Sequence, residues 1–153
     1  MTWARDRLGY VVIGIAVGAL ADGVVLHQVL QWHHLWSAKT PDTTVDGLEE
    51  NVLADGIFHL AFLVVLLVGV LTLVRRRVEL RPLVGLGLTG WGVFHVIDQF
   101  VFHLALEAHH IRMVDNYQVY DWTFFALGLA LIAVGLVVAG SPNRTRAPGT
   151  GPA

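Results

Sequence analysis

Eight histidines stand out in a very apolar chain, and six of them belong to two copies of one pattern. The first copy reads Asp22-x4-His27-x5-His33-His34, and the second reads Asp98-x4-His103-x5-His109-His110. Each position of the second copy lies 76 residues after its equivalent in the first. Imidazole and carboxylate groups are ligands of zinc, copper(II), iron and manganese. The pattern therefore predicts a transition-metal site, and the constant offset predicts an internal repeat.

The spacing within each copy assigns its residues to helix faces. At about 100° per residue, positions i, i+4 and i+7 of an α-helix share one face. The stripes expected from this rule are His27, Gln31 and His34 in the first copy and His103, Glu107 and His110 in the second. The remaining members, His33 and His109, are expected to point elsewhere, toward the headgroup region.

Aspartates and one further histidine complete the predicted ligand set. Asp22, Asp55 and Asp98 either bind a metal or accept the second N–H of an imidazole. His59 lies one helical turn after Asp55. The predicted metal ligands are thus His27, His34, His59, His103, His110, Glu107, Asp22, Asp55 and Asp98. For a lone histidine such as His59 or His95, a structural hydrogen bond to a neighbouring helix is an equally good interpretation.

The segments that position these residues are hydrophobic enough to cross a membrane. Of 153 residues, 55% are hydrophobic and 14% are charged, whereas about 25% charge is usual in soluble domains. A bilayer span takes roughly 20 apolar residues, and such stretches occupy about 8–36, 52–74, 83–106 and 119–139. The predicted class is an all-α polytopic membrane protein with four transmembrane helices, arranged as a two-plus-two repeat in a four-helix bundle. Residues 141–153 are predicted to be a disordered tail.

Basic residues predict the orientation of the chain. Eight of the ten flank the first span, fill the link that contains Arg75–Arg77, or follow the fourth span. The positive-inside rule therefore places both termini in the cytoplasm and the acidic loop Ser37–Glu50 outside. The ionisable residues within the spans then lie in the exoplasmic half, while the cytoplasmic half is almost purely apolar.

Composition excludes several classes of function. The chain has no cysteine, which excludes disulfides, thiolate zinc sites, iron–sulfur clusters and a cysteine nucleophile. Its net charge of -2 argues against nucleic acid as a partner. No serine next to an obvious base and no phosphate-binding loop is present, so an enzymatic activity is not predicted.

Three segments together resemble a known family. They are Asp22-Gly-x3-His27-x5-His33-His34, Asp55-Gly-Ile-Phe-His59 and Val96-Ile-Asp-Gln-x4-His103-x5-His109-His110. The combination resembles the bacterial predicted-membrane-protein family of unknown function numbered 2243, over the first three spans and the start of the fourth. The resemblance implies a small multi-pass protein of the bacterial cytoplasmic (inner) membrane and brings no established activity. Members usually read D-H-H or D-x4-H in the third span, whereas Gln99 follows Asp98 here.

Four functions remain open from the residues alone. The first is binding of copper, zinc or iron for metal handling or metalloenzyme assembly, with a membrane metalloenzyme or a second copy of the chain as partner. The second is a b-type haem held by His27 and His103 or by His59 and His95. The third is a proton or ion relay through Asp22, His27, Asp98 and His103. The fourth is a polar surface for another membrane protein.

Overall fold

Residues 2–140, which the computed structural model describes with side chains from residue 6, fold entirely into helices and connecting loops. The four α-helices are α1 (Thr2–Asp22), α2 (Val45–Leu73), α3 (Leu80–Asp98) and α4 (Tyr117–Ala139). Two of them continue as π-helices. The first π-segment, Gly23–Val29, extends α1, and the second π-segment, Gln99–Ala105, extends α3.

Four continuous stretches are long and apolar enough to cross a membrane, namely Asp6–Val29, Val45–Leu73, Leu80–Ala105 and Tyr117–Ala139. The predicted all-α architecture with four spans is therefore confirmed. The outer helices expose many large apolar side chains, among them Leu60 and Leu71 on α2 and Val137 on α4. Apolar surface of this extent is suited to lipid rather than to water.

The ends of the helices differ from the predicted bounds. The first helical stretch stops at Val29 and not near Trp36, so the loop after it spans residues 30–44. The second helix begins earlier than expected because the Thr44 side chain caps it, accepting a hydrogen bond from the Gly47 N–H at 3.1 Å. The acidic residues predicted in the outer loop therefore fall partly in the first turns of α2. The predicted disordered tail, 141–153, lies outside the described residues.

The helices pack around a central pair. Helices α1 and α3 lie against each other, with α2 packed on α1 and α4 packed on α3. Glycine allows the central backbones to touch, since a Cβ at Gly14 would meet the carbonyl of Gly87 and a Cβ at Gly90 would meet that of Val11. Small residues serve this purpose in membrane helices. The close contact fixes the positions of the two π-segments relative to each other.

Both π-segments end with the same backbone turn. The Trp32 N–H donates to the Leu26 carbonyl at 2.9 Å, and the Ala108 N–H donates to the Phe102 carbonyl at 2.8 Å. These bonds join residues six apart, one more than the bond that closes an α-helix before a left-handed residue, as expected at the end of a π-helix. The chain thus turns sharply at the same point after α1 and after α3.

The left-handed residues at these turns are Gln31, with φ of 49°, and Glu107, with φ of 47°. Both side chains are exposed. The predicted stripes through these residues are therefore wrong, because α-helical geometry stops before either residue is reached. The π-segments and the turns set the direction of every histidine that follows.

Candidate metal centre

The loops after the two π-segments are joined by a reciprocal pair of histidine hydrogen bonds. The His33 Nδ1–H donates to the Ile111 carbonyl at 2.9 Å, and the His109 Nδ1–H donates to the Leu35 carbonyl at 3.0 Å. A carbonyl oxygen only accepts, so each Nδ1 carries the proton and each Nε2 presents a lone pair. The two rings are stacked, with centroids 4.5 Å apart and planes 10° apart.

These two histidines were expected to point toward the headgroups, and that expectation is wrong. Each is only 1% exposed. The turns at Gln31 and Glu107 reverse the chain, so the residues two positions later face inward. A helix continued without interruption would have pointed them outward, which is why the helical pattern missed them.

The first π-segment explains the spacing of Asp22 and His27. In a π-helix the backbone hydrogen bonds join residues five apart, so this pair shares a face that an α-helix would not give it. The His27 Nε2 lies 3.4 Å from Asp22 Oδ2, and its Nδ1 lies 2.8 Å from Asp55 Oδ1 on α2. One ring therefore connects two aspartates on different helices.

The second π-segment repeats this arrangement. The His103 Nε2 lies 3.0 Å from Asp98 Oδ2, and its Nδ1 lies 3.2 Å from Asp121 Oδ1 on α4. The Nε2 atom and the Oδ2 atom are close without being aligned as a hydrogen bond. Two groups that point at a common third position would have this geometry.

Two buried groups of three side chains result, which we call the first and second half-sites. The first half-site is Asp22, His27 and His33, and the second is Asp98, His103 and His109. In each, the three candidate ligand atoms lie within 4.8 Å of one another. All four histidine Nε2 atoms are buried without a hydrogen-bond partner among the described residues. Each half-site could hold a metal ion.

Two further aspartates support the half-sites from behind. Asp55 accepts hydrogen bonds from His27 Nδ1, from His34 Nδ1 at 2.7 Å and from the Leu35 N–H at 2.8 Å. Both of its oxygens are thus occupied, and its position is that of a carboxylate that orients an imidazole.

Asp121 occupies the equivalent position beside the second half-site, where its contact with His103 Nδ1 at 3.2 Å is not aligned as a hydrogen bond. It accepts from His110 Nδ1 and from the Ile111 N–H, at 2.8 and 2.9 Å. Asp121 was not among the predicted ligands, although its alignment with Asp55 at an offset of 66 residues was visible in the sequence.

The other predicted ligands lie outside the half-sites. His34 and His110 are on the far side of the supporting aspartates, and Glu107 is exposed on its turn. His59 stands over the backbone of Gly23, where a Cβ would meet its ring. Whether any of these residues binds a metal stays a prediction.

Both ring nitrogens of the buried His95 form hydrogen bonds. Its Nδ1–H donates to the Phe124 carbonyl at 3.1 Å, and its Nε2 accepts from the Trp91 indole at 3.0 Å. Its ring is also stacked on Phe124 at 3.8 Å between centroids. The interpretation of His95 as a structural link between α3 and α4 therefore fits its contacts.

Electrostatics favour the neutral form of His33, which lies in the loop beyond the first span. Burial lowers the pKa of His33 well below its ordinary value, and the neighbouring imidazoles of His109 and His27 lower it further. A neutral imidazole with a free Nε2 is the form that binds a metal ion.

The sequence of the chain matches one family of proteins. The family model DUF2243, described as a predicted membrane protein, matches residues 9–141. The chain belongs to the DUF2243 family. No curated protein and no solved structure matches it.

The matched region of this DUF2243 protein contains both half-sites, both supporting aspartates and the whole of α2, α3 and α4. The two half-sites lie at one end of the central helix pair and offer imidazole and carboxylate donors in equal arrangement. The buried imidazole and carboxylate groups of this DUF2243 protein could therefore hold a metal ion.

Proposed function

We propose that this DUF2243 protein binds two transition-metal ions, one at each half-site, for metal handling or metalloenzyme assembly. The observation that carries the proposal is the set of four buried Nε2 atoms that make no hydrogen bond to any described residue, although those of His27, His103 and His109 lie 3.0–3.9 Å from an aspartate oxygen. A buried polar atom left unpaired costs free energy, so such atoms are usually satisfied by a ligand or water. Metal cations are the ligands best suited to four imidazole nitrogens that lie next to two carboxylates.

The donor set narrows the class of metal. Each half-site supplies two imidazoles and one carboxylate, and this combination leaves coordination positions open. Nitrogen and oxygen donors without thiolate suit zinc, iron or copper(II), and they disfavour copper(I). Open positions suit a protein that exchanges its metal with a partner or with a small ligand.

The arrangement of charges supports an outward-facing site. The arginine-rich link 74–79 lies at the opposite end of the helices from the half-sites. By the positive-inside rule this link is cytoplasmic, and the metal centre then lies in the exoplasmic half of the bacterial inner membrane. The duplicated contacts at offsets of 76 and 66 residues support an origin of the two halves by internal repeat.

The contacts favour metal ions over haem. A haem between His27 and His103 is disfavoured because His33 and His109 contact these rings, with centroids 4.5 and 4.9 Å apart. The rings of His33 and His109 are themselves stacked at 4.5 Å, so a macrocycle would have to displace both. A pair formed by His59 and His95 is disfavoured because the nitrogens of His95 are bonded to Trp91 and Phe124. A bis-histidine haem needs an open ring nitrogen on each face of the iron.

Elemental analysis of detergent-purified protein without a histidine tag tests the proposal. After loading with Zn²⁺, Fe²⁺ or Cu²⁺ and removal of free metal, we expect two ions per chain. The variants His27→Ala and His103→Ala should each retain one. His95→Gln is the matched control, since it alters a buried histidine outside the half-sites and should retain two. Size-exclusion chromatography and circular dichroism confirm folding of each variant.

The proposal fails if the folded wild-type protein retains no metal under any of these conditions. It also fails if His95→Gln loses as much metal as His27→Ala, since binding would then depend on general folding. Proton flux into proteoliposomes without metal retention would favour the relay through the same aspartates and histidines.

A further inference from the structure

A cavity of about 370 Å³ lies beside the second half-site. Buried residues on its wall are Gln99, His103 and Asp121, and exposed residues include Leu104 and Glu107. The cavity is therefore open to the protein surface and is bordered by His103, a fully buried member of the second half-site. No other member of either half-site lines it.

The side chain of Gln99 faces this cavity and is itself unsatisfied. Gln99 is 1% exposed, and its Oε1 forms no hydrogen bond within the part of the chain that the structure describes. An unpaired amide oxygen at this depth is an acceptor for a water molecule or a hydrated ion. Gln99 thus places an unsatisfied acceptor in the wall of the cavity, although neighbouring atoms cover this oxygen from solvent.

Side chains cover the first half-site at the positions where the second half-site borders the cavity. The position equivalent to Gln99 is Gly23, and the ring of His59 lies directly over it. The position equivalent to Leu104 is Gln28, whose amide donates to Asp55 Oδ2 at 3.3 Å. Leucine cannot make this bond, so the second half-site lacks the same cover.

The exposure of the outer histidines agrees with this difference. The side chain of His34, beside the first half-site, is 8% exposed, and that of His110, beside the second, is 19% exposed. His110 lines the cavity. The ligand residues of both half-sites are buried, so the two half-sites differ in the layer around their supporting aspartates.

We propose that this cavity is the entry port of the metal centre, through which a hydrated divalent cation reaches the second half-site, while the first half-site is closed. The inference rests on the proposed function, because it assigns a route to that same centre. Glu107 at the surface and Gln99 at depth supply oxygen acceptors for the water shell of the incoming ion. Metal at the second half-site exchanges directly, and metal at the first exchanges only when the cover opens.

Chelator release from protein loaded with Co²⁺ tests this route. The cobalt content is measured first, and excess EDTA is then added while the visible cobalt absorbance is followed. We expect two phases of equal amplitude whose rates differ by about tenfold or more, since the shell around a metal controls its access. His103→Ala should retain only the slow phase, and His27→Ala should retain only the fast phase.

Filling the port gives the sharper test. Leu104→Trp should slow the fast phase by about tenfold and leave the cobalt content unchanged. Val101→Trp is the matched control, because Val101 is an exposed residue of the same π-segment that does not line the cavity. Gln28→Leu, which copies the second half into the first, should accelerate the slow phase.

The outcomes separate the two proposals. Protein that binds no cobalt at the start overturns both the metal centre and the port. Protein that binds two ions and releases them in one phase, or whose fast phase is the same in Leu104→Trp as in Val101→Trp, overturns only the port.

Discussion

His33 and His95 are both buried histidines of one small membrane protein, and their environments differ in one decisive respect. The Nε2 of His95 accepts a hydrogen bond from the Trp91 indole, and its Nδ1–H donates to the Phe124 carbonyl. His33 is bonded only through Nδ1, and its Nε2 faces the first half-site. Burial is therefore common to a structural histidine and a candidate ligand. The free lone pair distinguishes them.

The same distinction separates the aspartates. Asp55 has both oxygens engaged by imidazoles and a backbone N–H. Asp22 has an oxygen, Oδ1, that is buried without a partner. Residues with complete hydrogen bonding hold the centre in shape, and residues with an unpaired atom are available to a ligand. This comparison can be tested by changing one member of each kind.

The largest expected effect on stability is that of His95→Leu. The substitution leaves the Trp91 indole N–H and the Phe124 carbonyl without their partner, and an unsatisfied buried group costs about 1–3 kcal/mol. Thermal unfolding in detergent should record this loss, while elemental analysis should still find two ions per chain. His33→Leu, which also removes a hydrogen bond to a buried carbonyl, should differ from His95→Leu by losing one ion. Equal metal loss in both variants would contradict the distinction.

Asp55→Asn tests the supporting position. The asparagine amide cannot hold both imidazole N–H groups as the carboxylate does, so His27 loses its fixed tautomer and orientation. We expect metal affinity to fall about 10–100-fold, as is typical when a carboxylate behind a ligating histidine is removed. Competition with a chromogenic chelator measures the change. Asp121→Asn should have the same effect on the second half-site, and unchanged affinity in both would show that these carboxylates do not orient ligands.

The pH dependence of stability sharpens the comparison for His33. Burial lowers the pKa of His33 in the folded protein, whereas an unfolded histidine has a pKa of about 6.5. Below this pH the unfolded chain binds a proton that His33 does not bind in the folded chain. The free energy of unfolding therefore decreases as the pH falls below about 6.5, by at most about 1.4 kcal/mol per pH unit. Unfolding of the metal-free protein between pH 7 and 5 measures the slope.

His33→Gln is the control for this titration. Glutamine keeps a donor for the Ile111 carbonyl without a titrating ring, so the variant should have a shallower slope over the same pH range. Parallel slopes in the wild-type protein and the variant would mean that His33 is not the group that resists protonation.

The parts of the fold that depend only on hydropathy could be predicted from the sequence. The four spans and the family follow from apolar length and from motifs that need no knowledge of packing. The pairing of His27 with an aspartate was also within reach, because the motif repeats in both halves.

The faces of the histidines could not be predicted because the local helix type was not visible. Residues can be assigned to helix faces at 100° per residue only in an α-helix, and the chain is π-helical from Gly23 and again from Gln99. The five-residue spacing of Asp22 and His27 is the one signal that could have indicated it. The left-handed turns at Gln31 and Glu107 have no glycine to mark them, so the inward direction of His33 was missed.

Glu107→Gly is the smallest expected effect and tests the residue that the helical pattern placed among the ligands. Glu107 adopts φ of 47° at the turn after the second π-segment, a conformation that costs a non-glycine residue about 1–2 kcal/mol. Glycine removes this strain and adds some chain entropy to the unfolded state, so the free energy of unfolding should rise by about 0.5–1 kcal/mol. Gln31→Gly is the matched variant, and elemental analysis should find two ions per chain in both. Loss of one ion in Glu107→Gly alone would mean that this carboxylate reaches the second half-site. An exposed side chain would then bind the metal, and an unpaired buried atom would no longer be what distinguishes a ligand from other polar residues.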